Sequence, residues 1–259
     1  MFLNSHSKNR SSSLANSTPA ALKNSHMPPN ASQASRRCLL AAGLALSTGG
    51  WWSESSVKAE DGINSDASPK DVLAYLYSGN MRFAKSAALE KHRDIERIRQ
   101  VAKEQKPFAA FLGCADSRVP IEIVFDQGFG DLFVTRIAGN IASSENVGSL
   151  EFGTAVLGAK VLYVLGHSNC GAVAATIKAD DVPGQISGLF QHIRPAAKEG
   201  KGDLAKSIEL NVRNQATVLA ESSPVIAKLI RDGKLIVAGG VYDLNTGLVA
   251  PVEVNQSAS

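Results

Sequence analysis

Residues 160–171 read Lys-Val-Leu-Tyr-Val-Leu-Gly-His-Ser-Asn-Cys-Gly, and they restrict the fold more than any other stretch. Val161–Leu165 is an unbroken apolar run between Lys160 and Gly166. A short run without alternation fits a strand covered on both faces, as in a parallel sheet between helices. We expect the strand to end at Gly166. His167 and Cys170 follow at once, and Ala172, Ala174 and Ala175 open a small-residue helix. Histidine and cysteine three apart at a strand end can hold one metal ion. The same arrangement occurs upstream, where the apolar stretch Phe108–Leu112 leads through Gly113 to Cys114.

The rest of the chain alternates in the same way. Ser68-Pro69-Lys70-Asp71 is a helix start, with Ser as cap and Pro in the first turn. Val72, Leu73, Leu76 and Phe83 then form a stripe at helical spacing. A second helix is expected over residues 93–104, with Ile95, Ile98, Val101 and Ala102 among charges, and Pro107 beyond it. A short helix is expected over 120–125 and a strand over 131–137, ended by Gly139-Asn140. A helix over 145–157 should turn Val147, Leu150, Ala155 and Leu157 inward. Residues 179–202 are broken by Pro and Gly, with a helical piece over 186–194. Residues 203–231 read as helix interrupted near Pro224, 234–241 as a buried strand, and Asn245-Thr246-Gly247 as a hairpin turn into an edge strand over 248–254. Alternating strands and helices imply an α/β fold, a mostly parallel sheet flanked by helices. Sites in such sheets form at the carboxyl ends of strands, where the strand order reverses. Cys114 and His167 both follow such ends.

The first sixty residues differ from the remainder. Residues 1–53 contain no Asp or Glu. Arg36-Arg37-Cys38 leads into a short apolar run to Leu46, too short to span a bilayer. A basic pair, an apolar core and a small-residue site at Val57-Lys58-Ala59 together read as an export leader, similar to a twin-arginine signal. We therefore expect a leader over 1–59, a polar linker over 60–68 and one domain over 69–259. The whole chain carries 27 Lys and Arg against 24 Asp and Glu, net +3. Six of those bases and one acid lie in the leader, so the remainder holds 21 against 23, net −2. The domain lacks the basic footprint of a nucleic-acid binder. It keeps two cysteines, Cys114 and Cys170, which in an oxidising compartment would tend to pair unless a metal held them.

Cys114, His167 and Cys170 make a Cys2His set. Structural zinc sites close with four protein ligands, and catalytic ones leave a position open. The domain offers no third cysteine, and His92 and His192 sit in charged stretches that read as solvated surface. The fourth position is then open, or filled by a carboxylate. Two buried cysteines and a core histidine without any metal are the plainer alternative. The segment Cys114-Ala115-Asp116-Ser117-Arg118 sets a carboxylate and a guanidinium beside the first ligand. Arg can hold Asp as a fixed, ionised acceptor, although a plain surface ion pair would show the same spacing.

Residues 114–119, Cys-Ala-Asp-Ser-Arg-Val, followed about fifty residues later by Gly-His-Ser-Asn-Cys-Gly, resemble the two signatures of the β-class carbonic anhydrases. The similarity extends through residues 76–83, 130–140 and 239–249. The resemblance implies a zinc enzyme that interconverts CO2 and bicarbonate, on a parallel sheet of order 2-1-3-4 with a fifth strand at its edge. It assigns Cys114, His167 and Cys170 to one Zn2+ per chain. Asp116 and Arg118 become a dyad that keeps the fourth position open. Gln105 and Phe133 match pocket residues of one subgroup, and Phe152 stands where many members carry Tyr. Pocket walls in the family come partly from a neighbouring subunit, which implies a homodimer or a dimer of dimers.

Two other functions use the same ligands: hydrolysis of another small heterocumulene such as carbon disulfide, and a catalytically silent zinc scaffold. Asp116 has two possible arrangements, paired with Arg118 or turned onto the metal. Phe111 replaces the Trp that accompanies the second arrangement in one subgroup, so we expect the pair. Gly113 and Arg136 match that switching subgroup, whereas Gln105 and Phe133 match the other. The leader fits a bacterial periplasm or, read with the Ser-rich residues 1–35 as a transit peptide, a thylakoid lumen.

Overall fold

Ser68 caps the first helix, Pro69–Ala84 (α1), through a reciprocal box with Asp71. The Ser68 N–H donates to Asp71 Oδ2 at 3.0 Å and the Asp71 N–H to Ser68 Oγ at 3.3 Å. The computed structural model describes residues 63–179 and 181–254, and the expected leader lies outside them. Residues 63–67, the end of the expected linker, are tied to the domain. Ile63 packs on the core, and Lys160 Nζ donates to the carbonyls of Ser65 and Ala67.

After Ile95–Val101 (α2), the chain alternates between strands and helices. Ala109–Gly113 (β1), Ile121–Val124 (α3), Leu132–Arg136 (β2) and Ser144–Glu151 (α4) come first. Val161–His167 (β3), Gly171–Lys178 (α5), Ile186–Glu199 (α6), Leu204–Ser222 (α7) and Pro224–Arg231 (α8) follow. Ile236–Tyr242 (β4) and Val249–Val252 (β5) end the series. The five strands form one sheet in the order β2-β1-β3-β4-β5. The first four are parallel, and β5 runs antiparallel to β4 after the Asn245–Gly247 turn. This is the sheet expected from the sequence.

The apolar runs of β1 and β3 follow from their two covered faces. Phe111, Tyr163 and Leu165 point to one side, against Leu76 of α1 and Phe125. Leu112, Leu162 and Val164 point to the other, against Val212, Ala216 and Leu219 of α7. Every residue of both strands is buried.

Several boundaries differ from the sequence reading, each for a physical reason. β3 does not stop at Leu165, because Gly166 and His167 still pair with Val241 and Tyr242 of β4. The second helix is shorter than 93–104 and buries none of its residues; Ile95 is 61% exposed. The helix expected over 145–157 changes to a π turn over Phe152–Val156. That wider turn rotates the inward face. Gly153 and Thr154 are buried, and Ala155, expected inward, is exposed. A methyl group on Gly153 would stand 2.7 Å from Phe133 Cδ1, so glycine lets the turn close on β2. α6 continues through Pro195 because Ile193 and Ala196, on either side of it, are both fully buried. His92 is not merely solvated: its Nδ1 lies 2.8 Å and 2.9 Å from the two carboxylate oxygens of Asp131.

Candidate metal centre

β1 and β3 are neighbours in register, with Gly113 opposite Leu165. Cys114 is the first residue beyond β1, and His167 is the last of β3. Asn169 takes a left-handed conformation, φ 56°, and turns the chain so that Cys170 becomes the N-cap of α5. Two strand ends and one helix start thus deliver three side chains to one point. The ligand atoms of Cys114, His167 and Cys170 all lie within 4.8 Å of one another. The three residues are buried, among Ile141, Val173, Ile193 and Ile208.

The donor chemistry fits a metal of the zinc type. His167 Nδ1 donates to the Ser168 carbonyl at 2.9 Å, which leaves Nε2 as the lone-pair nitrogen. Nε2 is buried and has no hydrogen-bond partner among the described residues. Such an atom is costly unless something binds it. Both cysteines are free thiols. The hydrogen bond between them pushes the Cys114 thiol down, and the same bond together with burial pushes the Cys170 thiol up. Two thiolates and a neutral imidazole suit a tetrahedral Zn2+ and leave one position for water or substrate.

Asp116 lies beside that position and is held by Arg118. Arg118 Nε donates to Oδ1 at 2.9 Å and an Arg118 Nη to Oδ2 at 2.8 Å. The Arg118 backbone N–H adds a bond to Oδ1 at 3.0 Å. The guanidinium holds the Asp116 carboxyl well below the usual carboxylate range. Oδ2 stands 3.8 Å from His167 Nε2. Arg136 fixes the loop from behind, donating from Nε to the Cys114 carbonyl at 2.9 Å and from an Nη to the Asp116 carbonyl at 2.6 Å.

The other three expected site residues are elsewhere in the single chain. Gln105 is exposed in the loop before β1, at the amino ends of the strands. Phe133 pairs with Ala110 near those same ends, and Phe152 is 47% exposed at the start of the π turn. The Phe133 and Phe152 rings meet, with centroids 6.3 Å apart. Sequence reasoning missed the polar layer behind Cys114. Gly139 N–H donates to Cys114 Sγ at 3.3 Å, and Asn211 Nδ2 to the Gly139 carbonyl at 2.9 Å. The one signal in the sequence was a pair of amides, Asn211 and Gln215, four apart among the apolar positions Ile208, Val212, Ala216 and Leu219.

Comparison with known proteins agrees with this geometry. The sequence profile of the family described as carbonic anhydrase matches residues 109–249. Carbonic anhydrase 2 of Mycobacterium tuberculosis is 34% identical over 190 residues, covering 70% of this chain and 92% of that protein. A carbonic anhydrase of Mycolicibacterium smegmatis is 35% identical over 192 residues, covering 71% and 93%. The structure of a Coccomyxa β-carbonic anhydrase in complex with acetazolamide aligns with TM-score 0.54 and 28% identity, covering 73% of this chain and 87% of that one. A tetrameric β-carbonic anhydrase of Sordaria macrospora shares the fold, with TM-score 0.58 and 24% identity over 70% of this chain and 97% of that one. Fold, ligand cluster and relatives lead to one assignment: the chain belongs to the β-carbonic anhydrase family.

Proposed function

We propose that this protein catalyses the reversible hydration of CO2 to bicarbonate and a proton, with one Zn2+ per chain on Cys114, His167 and Cys170. The observation that carries the reading is the convergence of those three ligand atoms beside an Asp116 already paired with Arg118. When bound, the zinc ion lowers the pKa of its water toward about 7 and so supplies a nucleophile near neutral pH. The chain's own residues do the rest. Arg118 keeps Asp116 ionised and, by taking both of its carboxylate oxygens, holds it beside His167 without letting it join the ligands. The ionised Asp116 carboxylate is an acceptor only, so its free lone pairs orient the attacking water. Ile141 and Val173, packed around the ligands, shield them from bulk water.

The names of the relatives favour CO2 over carbon disulfide as substrate, and the formed Asp116–Arg118 pair argues against a silent scaffold. Stopped-flow CO2 hydration on metal-analysed protein tests the reading. Zinc-loaded protein that turns over carbon disulfide but not CO2 would overturn it.

Assembly as a homodimer or a dimer of dimers is part of the proposal. β2 is an edge strand, and the 47% exposed Phe152 packs on Phe133 of that strand. A second copy on that edge would cover them and could bring pocket residues to the partner's metal. We also propose that the chain is exported after removal of its leader.

A further inference from the structure

α7 packs on the sheet through apolar side chains, yet it carries two wholly buried amides one turn apart, Asn211 and Gln215. Each is engaged through both its amide oxygen and its amide nitrogen. Gln215 Oε1 accepts from the Ala142 N–H at 2.8 Å. Gln215 Nε2 donates to the His192 carbonyl and to Asn211 Oδ1, each at 3.1 Å. Asn211 Nδ2, oriented by that bond, donates to the Gly139 carbonyl at 2.9 Å. Gly139 N–H in turn donates to Cys114 Sγ at 3.3 Å. A relay of four hydrogen bonds thus runs from the α6 backbone to the sulfur of a proposed metal ligand, and the reaction described above makes no use of it.

Gly139 needs such an anchor. It lies in a left-handed conformation, φ 76°, in the turn that the Asn140 N–H closes onto the Ile137 carbonyl at 2.9 Å. Glycine has no Cβ to confine it, so its own backbone does not fix where the N–H points. A larger residue would be strained at this φ, and its Cβ would stand 2.6 Å from Ile193 Cδ1. The direction of the N–H must therefore be set from outside the turn.

We infer that Asn211 and Gln215 are positioning residues that hold the Gly139 N–H against the Cys114 thiolate and so tune the metal this thiolate binds. An N–H donated to a thiolate withdraws electron density from sulfur and leaves a bound cation more electrophilic. This inference rests on the metal reading of Cys114, His167 and Cys170.

The test uses the full mature protein loaded with Co2+ in place of zinc, and it reads the thiolate-to-cobalt charge-transfer band. Wild type must show the band; its absence would overturn the metal reading, and this inference with it. In Asn211→Leu the band should move to longer wavelength, because the sulfur regains electron density. Gln215→Met, which leaves Asn211 in place but unoriented, should move it less. Zinc affinity, measured by chelator competition, should fall about tenfold or more in Asn211→Leu, in the range for outer ligand-shell changes. Leu219→Ala is the control: it empties a buried apolar position on the same helix and destabilises without touching the relay, so it should leave the band in place. A normal wild-type band that neither amide variant moves, or that Leu219→Ala moves as far, would overturn the inference alone.

Discussion

Arg118 takes both carboxylate oxygens of Asp116, at 2.9 Å and 2.8 Å, while Asp116 Oδ2 remains 3.8 Å from His167 Nε2. The carboxylate is near enough to reach a metal ligand's surroundings and is held from joining them. Asp116→Ala should therefore abolish most activity, by about 10²-fold or more, the usual scale for a positioned acid–base group. It should leave the zinc content unchanged. Loss of zinc in this variant would make Asp116 a ligand and contradict the assigned role.

A second prediction concerns Asp126, far from the chemistry. Its side chain is wholly buried and accepts from Arg82 Nε at 2.7 Å and from the N–H groups of Leu89 and Glu90 at 3.0 Å and 3.1 Å. Burial alone would raise its pKa, but these donors outweigh it and hold the carboxyl below its ordinary value. A group depressed on folding adds stability above its unfolded pKa of about 3.9, and that stability is lost as pH falls through the folded value. Asp126→Asn should cost about 3 kcal/mol at pH 7, as for a broken buried pair. The gap from wild type in urea unfolding should narrow below about pH 4. A gap that stays constant down to pH 3 would refute this linkage.

A third concerns processing. Cleavage after Ala59 leaves Ile63 on the core and keeps the Ser65 and Ala67 carbonyls on Lys160. Mass spectrometry of protein from its native compartment should find an N-terminus near Glu60. A persisting Met1 terminus would refute export by this leader, and one nearer Arg36 would favour a transit peptide.

The parts legible in the sequence were those written locally. Cys114, His167 and Cys170 each sit within two residues of a strand end or helix start, and Asp116 reaches Arg118 across one residue. Unbroken apolar runs announced β1 and β3 because both faces are covered. What was not legible depends on partners far along the chain. His92 meets Asp131 across 39 residues, and Asn211 meets the Gly139 carbonyl across 72. The π turn at Phe152 is set by Gly153 closing on Phe133, and helical periodicity carries no sign of it. Gln105, Phe133 and Phe152 were read from resemblance, and one chain does not bring them to the metal ligands.

The proposed activity depends on a single zinc ion held by Cys114, His167 and Cys170. Metal analysis with zinc X-ray absorption, on mature wild type and on Cys170→Ser, tests it most directly. Wild type should carry one zinc per chain, with two sulfurs at about 2.3 Å and one imidazole nitrogen at about 2.0–2.1 Å. Cys170→Ser should lose metal and CO2 hydration together. Stoichiometric zinc and full activity in Cys170→Ser would contradict it.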